Sequence, residues 1–348
     1  PHLYLEEVKG EKYMEYRKQW TETGTFNVET NYPTQVDFEL NPSCNLKCPM
    51  CTWSAVETFG QGKESWMPFD KYKKIIDEIH EKVMSVNLNY VNEPLIRKDI
   101  VDFVKYASDK GIMEVMFNTN GTLLTKELSE KLILSGITKL SFSLDAFTKK
   151  TYDKIRIGSN FDKVMKNIDD FLKVRKKLKK KVPLFKVTFL KVLENKNELK
   201  PFLKYWEKKA DLISIQNPNN PFAQKKFNGE LINEKLKKKR EKWLDIESEK
   251  KNLIKTKKIS NEYEFDNLKR CSQPNQRLVI DSDGAVHPCC NFRGKDITVG
   301  NAFKESIYSI WNNKKYKYLR KIHKSGKYYK HKVCKECLDY STIEAPKI

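Results

Sequence analysis

No stretch of the 348 residues approaches the roughly 18–20 consecutive apolar side chains that a helix needs to cross a bilayer. A membrane-embedded protein is therefore excluded from the expectation. The first residues, Pro1-His2-Leu3-Tyr4, have neither the basic n-region nor the apolar h-region of a secretory signal, and an initiator Met is missing too. Internal repeats are absent. Cysteine is absent from residue 52 to residue 270, and all eight cysteines cluster on either side of that gap. A disulfide framework belongs to small secreted domains short of core, and this chain is neither small nor visibly secreted. The clusters read as metal ligands in a reducing compartment, expected to be the cytoplasm. Aromatics are plentiful, with 18 Phe, 16 Tyr and 6 Trp along the whole chain, which argues against disorder.

Length predicts two or three domains, at about 100–200 residues each. Charge is one-sided: Lys and Arg number 67 against 46 Asp and Glu, a net +21. The densest runs are Arg175–Lys181 and Lys235–Arg240, with acidic residues such as Glu234, Glu241 and Asp245 interleaved nearby. Lysine dominates, and a point charge attracts phosphate without reading bases. Solvated helix faces explain the runs best. The alternative is attraction of an acidic partner, whether a nucleotide-linked substrate, an acidic peptide or RNA.

Alternating units begin at Thr34. Gln35–Leu40 alternates polar and apolar with period two, which predicts a strand. Further strands are predicted at 86–90, 112–117, 137–144, 185–192 and 212–216. Helices are predicted at 69–83, 100–107, 123–134, 161–178 and 199–206. Six strands with helices between them imply right-handed parallel crossovers, either in an open doubly wound sheet or in a partial barrel. In both, loops at the C-terminal ends of the strands build the site. The N-terminal stretch 1–32 reads as an extension, helical over 5–20 and then loose. Residues 219–270 read as a connecting region with one exposed helix near 231–248. From Cys271 a small module follows, with strands at 277–280 and 285–287 joined by the turn Asp281-Ser282-Asp283-Gly284, then a helix ending by Gly326. The expected division is 1–32, 33–218, 219–270, 271–342 and a tail at 343–348.

The first strand runs into Cys44-Asn45-Leu46-Lys47-Cys48-Pro49-Met50-Cys51, a C-x3-C-x2-C loop. Three thiolates suit a cubane iron–sulfur cluster whose fourth iron stays open to substrate or cofactor. A structural zinc knuckle is the alternative. It would need a fourth Cys or His nearby, and the nearest histidines are His2 and His80.

With this loop directly after the first strand, residues 34–216 resemble the radical S-adenosylmethionine (SAM) superfamily. Several later segments extend the resemblance. Val91-Asn92-Glu93-Pro94-Leu95 looks like the family's Gly-Gly-Glu-Pro segment, which implies that Glu93 and Pro94 hold the methionyl amino group, although Val and Asn replace the glycines. Asn118-Thr119-Asn120-Gly121 resembles its Thr-Asn-Gly turn, and Ser143-Leu144-Asp145 its Ser-x-Asp segment, which contacts the ribose or methionyl part. Arg156 matches an arginine that pairs with the SAM carboxylate, and Met50 stands where the family has an aromatic near adenine. Taken alone, Glu-Pro reads as a helix start, Asn-Gly as a turn and Asp145 as a helix cap. Their order along the chain carries the resemblance. It implies one-electron reductive cleavage of SAM to methionine and a 5′-deoxyadenosyl radical, which abstracts hydrogen from an unactivated carbon.

Cys271, Cys289, Cys334 and Cys337 come from the predicted hairpin and a downstream loop. With Val299-Gly300-Asn301 and Ile307–Asn312 they resemble the SPASM or twitch modules of that superfamily, which carry auxiliary clusters. The resemblance implies two [4Fe-4S] clusters, one binding SAM and one auxiliary, with four-cysteine zinc as the alternative for the second. Cys290 is left over, as a buried small hydrophobe, a substitute ligand or a thiol hydrogen donor.

The resulting expectation is a partial (βα)6 TIM-like barrel followed by a small α+β auxiliary-cluster module with a β-hairpin. Its function is expected to be oxidation or epimerisation of a small polyhydroxylated, sugar- or cyclitol-like substrate, with the auxiliary cluster accepting an electron and flavodoxin or ferredoxin supplying one. A nucleotide- or phosphate-linked small molecule, or an acidic peptide, is the partner expected. The alternatives are a maturase acting on a ribosomal peptide, and a non-catalytic metal-bound protein that binds RNA or another partner. Neither membrane nor nucleic acid is expected as a partner.

Overall fold

The structure is a computed structural model that describes residues 9–51, 65–216 and 270–340, together with residues 5, 7, 54, 226–227 and 230–231. The helix expected near 231–248 lies outside the described residues. Nine strands form one open sheet: β1 (Gln35–Phe38), β2 (Ser85–Asn87), β3 (Glu114–Thr119), β4 (Lys139–Ser143), β5 (Leu184–Leu190), β6 (Leu212–Gln216), β9 (Arg277–Ile280), β10 (Ala285–His287) and β11 (Gly300–Asn301). Their spatial order is β11-β10-β9-β1-β2-β3-β4-β5-β6. A separate antiparallel pair is formed by β7 (Lys226–Phe227) and β8 (Glu230–Leu231).

Strands β1 to β6 are all parallel, as their helical crossovers require. The predicted hairpin does not stand apart. Its first strand β9 pairs in parallel with β1, setting Gln35 opposite Arg277 and Phe38 opposite Ile280. An open barrel leaves the backbone groups of β1 unpaired on one side, and β9 covers that edge.

The alternation in each strand decides what faces where. Val36, Phe38 and Leu40 are fully buried, with Phe38 against Tyr72 of the helix Phe69–Ile79. Phe142 meets Phe171 of the helix Phe161–Lys177, and Phe185 meets Trp206 of the helix Leu199–Trp206. These residues belong to the layer between sheet and helices. Their neighbours Gln35, Asp37, Glu39, Asn87, Asn118, Ser141, Ser143, Lys186 and Thr188 therefore line the opposite, concave face. The helix Glu11–Gly24 closes the N-terminal end of this concavity, where Tyr13 and Tyr16 pack with Leu184 and the Tyr16 hydroxyl donates to Glu114 at 2.9 Å. Glu114 also accepts from Lys139 at 2.7 Å.

Two helices differ from expectation. Lys149–Ile155 was not anticipated; it is capped by Thr148, while Glu198 accepts hydrogen bonds from the Phe147 and Thr148 amides and the Thr148 and Thr151 hydroxyls. The last cysteine pair lies on the helix Lys332–Tyr340 rather than in a loop. Between β11 and that helix, Ile307–Asn312 and Lys314–Lys324 are two helices, because Asn313 ends one and caps the other.

Burial in the second of these helices carries a pH consequence. It pushes the His323 imidazole down to about 4, with nearby His331 adding to the shift. The unfolded chain thus takes up a proton that the folded chain refuses. Stability complete above about pH 6.5 should be lost as pH falls toward 4, by up to about 3 kcal/mol. Unfolding midpoints at pH 7 and pH 5 check this. His323→Gln should flatten the difference, and an unchanged slope in that variant would contradict the assignment.

Candidate active site

The three-cysteine loop leaves β1 at the C-terminal end of the strands and is held from three sides. Glu93 donates its amide to the Ser43 carbonyl at 2.9 Å, and Lys47 donates to Ile157 at 2.9 Å. Asn120 donates its side-chain amide to Asn45 at 2.9 Å and to the Cys44 sulfur at 3.9 Å. Asn45 in turn donates to the Thr122 hydroxyl at 2.8 Å. Arg156 donates to the Cys48 sulfur at 3.7 Å. Gly158 follows with φ of +95°, a conformation that favours glycine, as the chain turns past the Asn45 carbonyl.

Glu93 is buried, and both carboxylate oxygens are occupied. One accepts from the Leu95 amide at 3.1 Å and the Thr119 hydroxyl at 2.7 Å, the other from the Asn120 amide at 2.7 Å. Burial pushes its pKa up to about 7 against these bonds. In this arrangement Glu93 ties the loop after β2 to the loop after β3, with Pro94 opening a single 3-10 turn behind it. The Asn118 backbone amide donates to the Asn89 side-chain oxygen at 2.8 Å. Met50 is buried in the core beside Cys48.

Asp145 and Arg156, expected to hold different parts of one ligand, hold each other. Asp145 adopts φ of +60°, fixed by Leu190, which donates its amide to the carboxylate at 2.8 Å, and by Asn195, which donates to the Asp145 carbonyl at 2.7 Å. Burial raises the Asp145 pKa, and Arg156 pulls it back only in part. The Arg156 Nε is buried with no hydrogen-bond partner. Ser143 lies beside Thr188 in the ladder.

The second cysteine group assembles from three elements. Cys289 follows β10, Cys271 precedes the short helix Gln273–Gln276, and Cys334 and Cys337 share one face of the last helix at i, i+3 spacing. Burial pushes Cys271 and Cys334 up to about 12, and Cys337 near both adds to it. Cys289 is raised by burial and then by Cys271 and Cys337. Gly294 passes so close to Cys289 that an added Cβ would stand 2.5 Å from its carbonyl oxygen and 2.9 Å from its sulfur. Gly294→Ala should therefore displace Cys289 and lower iron content by about half, since one of two four-iron sites is disturbed; full iron loading would refute this. Cys290 is exposed, donating to Gln273 at 3.4 Å and accepting from Arg277 at 3.7 Å.

The donor sets fit iron–sulfur clusters. Cys44 is pushed up to about 12 by burial, and Cys48 is raised by the same cause. Such thiols stay protonated until a metal compensates their charge. Among the described residues, no three His, Cys, Asp or Glu side chains are grouped to hold a single metal ion. A cubane instead spreads its ligands over separate iron corners.

A family model described as the radical SAM superfamily matches residues 38–198, and one described as an iron–sulfur cluster-binding domain, SPASM, matches residues 271–338. The chain carries a radical SAM domain and, C-terminal to it, a SPASM domain. Its cofactors are [4Fe-4S] clusters and SAM. The AdoMet-dependent heme synthase of Methanosarcina barkeri is 33% identical over 141 residues, 40% of this chain and 39% of that protein. The chain thus spans about two-fifths of that relative's length. Among solved structures, Streptococcus suis SuiB bound to precursor peptide SuiA matches with TM-score 0.62 and 19% identity, covering 89% of this radical SAM chain and 71% of the other. BtrN in complex with AdoMet and 2-DOIA matches with TM-score 0.53 and 17% identity, covering 89% and 94%. These likenesses establish the fold alone. Among the described residues, no helix of this radical SAM protein is long and apolar enough to cross a membrane.

The residues that sequence reading missed form a buried charged cluster between the two cysteine groups. Lys295 pairs with Glu39 at 2.7 Å and with Asp281 at 3.0 Å, and Asp281 meets His287 at 3.0 Å. Arg277 pairs with Asp37 at 3.2 Å. The Tyr90 hydroxyl donates to the Asn291 carbonyl at 2.6 Å, joining the loop after β2 to the chain beyond Cys290. Only the polar half of the Gln35–Leu40 alternation signalled any of this.

Proposed function

We propose that this radical SAM protein oxidises or epimerises a small polyhydroxylated substrate, sugar- or cyclitol-like, held on the concave face of the sheet. One observation carries the reading. The concavity between the two cysteine groups is lined by hydrogen-bonding side chains, among them Gln35, Asn87, Asn118, Ser141, Ser143 and Thr188, which match hydroxyl groups and not an apolar ligand. When bound, the first cluster with SAM supplies a hydrogen-abstracting radical, and the second cluster supplies an electron acceptor.

In this reading Cys44, Cys48 and Cys51 hold the first cluster and leave one iron to SAM; Cys271, Cys289, Cys334 and Cys337 hold the second completely. Arg156, with its free Nε, receives the SAM carboxylate. Asp145, released from Arg156, Ser143 and the Asn118–Asn120 turn receive the rest, and Met50 flanks the adenine. Glu93 and Pro94 fix the loop on which the methionyl amino group rests. The N-terminal helix and its tyrosines keep bulk water from entering the concavity from below. Cys290 is poised to give a hydrogen atom if the outcome is epimerisation.

Anaerobic reconstitution with iron, sulfide, dithionite and SAM should yield 5′-deoxyadenosine, at a rate raised by a cyclitol or sugar, with a product two hydrogens lighter. Solvent deuterium in an isomerised product, lost in Cys290→Ala, would select epimerisation. Stimulation by a precursor peptide instead would select the maturase reading. Absence of 5′-deoxyadenosine from fully loaded protein would overturn both.

A further inference from the structure

On β4 and β5 the fully buried Phe142, Phe185, Val187 and Phe189 point at the helices, so Ser141 and Lys186 point the other way. The two are direct partners in the parallel ladder, in one row with Asn118 of β3. The Ser141 hydroxyl is buried and has no hydrogen-bond partner. The Lys186 ammonium makes no ion pair or hydrogen bond among the described residues, and the opposite charge it feels comes from Glu114.

The groups around Lys186 cannot neutralise it. From β3, Glu114 already accepts from Lys139 and Tyr16. From β4, Lys139 is a like charge, and from β6 the ladder partner is Leu212. Burial first, and then Lys139, push Lys186 down to about 8. An ammonium and a hydroxyl left without acceptors on adjacent strands cost free energy unless something supplies anionic oxygens to both. Two rows further along β5, the Leu190 amide contacts Asp145, so the pair lies beneath the residues assigned to SAM.

We propose that Lys186 and Ser141 bind an anionic oxygen group of the substrate, a carboxylate or a phosphate, inside the concavity. This rests on the radical SAM reading only for placing the substrate there. It narrows the substrate class to polyhydroxylated molecules that carry an acid group.

Trace acetylation with acetic anhydride, read by mass spectrometry on the anaerobic holoenzyme without reductant, tests it. At pH 8 Lys186 should react about tenfold faster than surface lysines, because far more of it is unprotonated. Inorganic phosphate or succinate at about 10 mM should slow that reaction by about threefold or more, beyond any effect of sodium chloride at equal ionic strength. Protection by phosphate alone assigns a phosphorylated substrate, and by succinate alone a carboxylate. Ser141→Ala should weaken the protection, while the wild-type measurement stands without it. Equal protection by chloride, no protection by either anion, or reaction no faster than surface lysines would overturn the proposal. So would protection by SAM alone, which would place Lys186 in the cofactor site. None of these readouts needs turnover, so failure to form 5′-deoxyadenosine would sink the proposed function and leave this result separate.

Discussion

Cys48→Ala is expected to reduce 5′-deoxyadenosine formation by the anaerobically reconstituted protein to below detection, and Cys44→Ala and Cys51→Ala to do the same. In the proposed arrangement three protein ligands hold the first cluster, and none is spare. The Cys48 thiol is buried and Cys44 half-buried, which disfavours their charged forms. Removing one leaves the others without the metal that makes thiolates tolerable there. Iron content should fall by about four per chain, the content of one cubane. Cluster loss without loss of fold is expected, because Asn120, Asn45 and Thr122 brace the loop independently of the sulfurs. Retained 5′-deoxyadenosine in all three variants would defeat the ligand assignment.

The second large effect concerns Asp145 and Arg156. The pair is buried, with Arg156 side-chain exposure of 12% and Asp145 of 2%. Burial alone would lower the Arg156 pKa, and Asp145, Cys48 and Tyr152 together more than reverse this. Asp145→Ala strands the guanidinium beside Cys48, and breaking such a pair costs about 3–5 kcal/mol. The expected result is a marked fall in thermal stability together with SAM affinity weakened by about tenfold or more. Arg156→Met removes the carboxylate anchor and should weaken SAM binding at least as much. In stability the two variants together should be far from additive, since each removes the same ion pair. Equilibrium binding of SAM to cluster-loaded variants, with urea titrations alongside, separates affinity from stability. Additive stability losses would show that the two groups do not act as a pair, and unchanged SAM affinity in either single variant would show that the pair is only structural.

Much of this site is legible in the sequence because it is local. The cysteine loop follows β1, Glu93 follows β2, Asn118 and Asn120 end and follow β3, and Ser143 ends β4, so order along the chain becomes proximity at one end of a parallel sheet. The polar–apolar alternation of Gln35–Leu40 likewise shows which residues face inward. What cannot be read is whatever depends on distant pairing. The join of β9 to β1 brings Arg277 to Asp37 across 240 positions, and no local pattern announces it. The start of the short helix Lys149–Ile155, capped by Thr148, is held by Glu198, 47 positions beyond Thr151. Nor does the spacing of Cys334 and Cys337 distinguish a loop from a helix, since one helical turn also brings i and i+3 together. Glu93 shows a subtler limit. Its identity is legible, but the use of its carboxylate as a brace between two loops follows only from coordinates.

The central claim is that Cys44, Cys48 and Cys51 leave one iron of their cluster for SAM, while the other cluster is closed. Electron paramagnetic resonance of the reduced protein, recorded with and without SAM, tests this most directly. The account predicts two cluster signals, one that changes when SAM is added and one that does not. A spectrum unaltered by SAM, or metal analysis finding zinc at the first site, would contradict it.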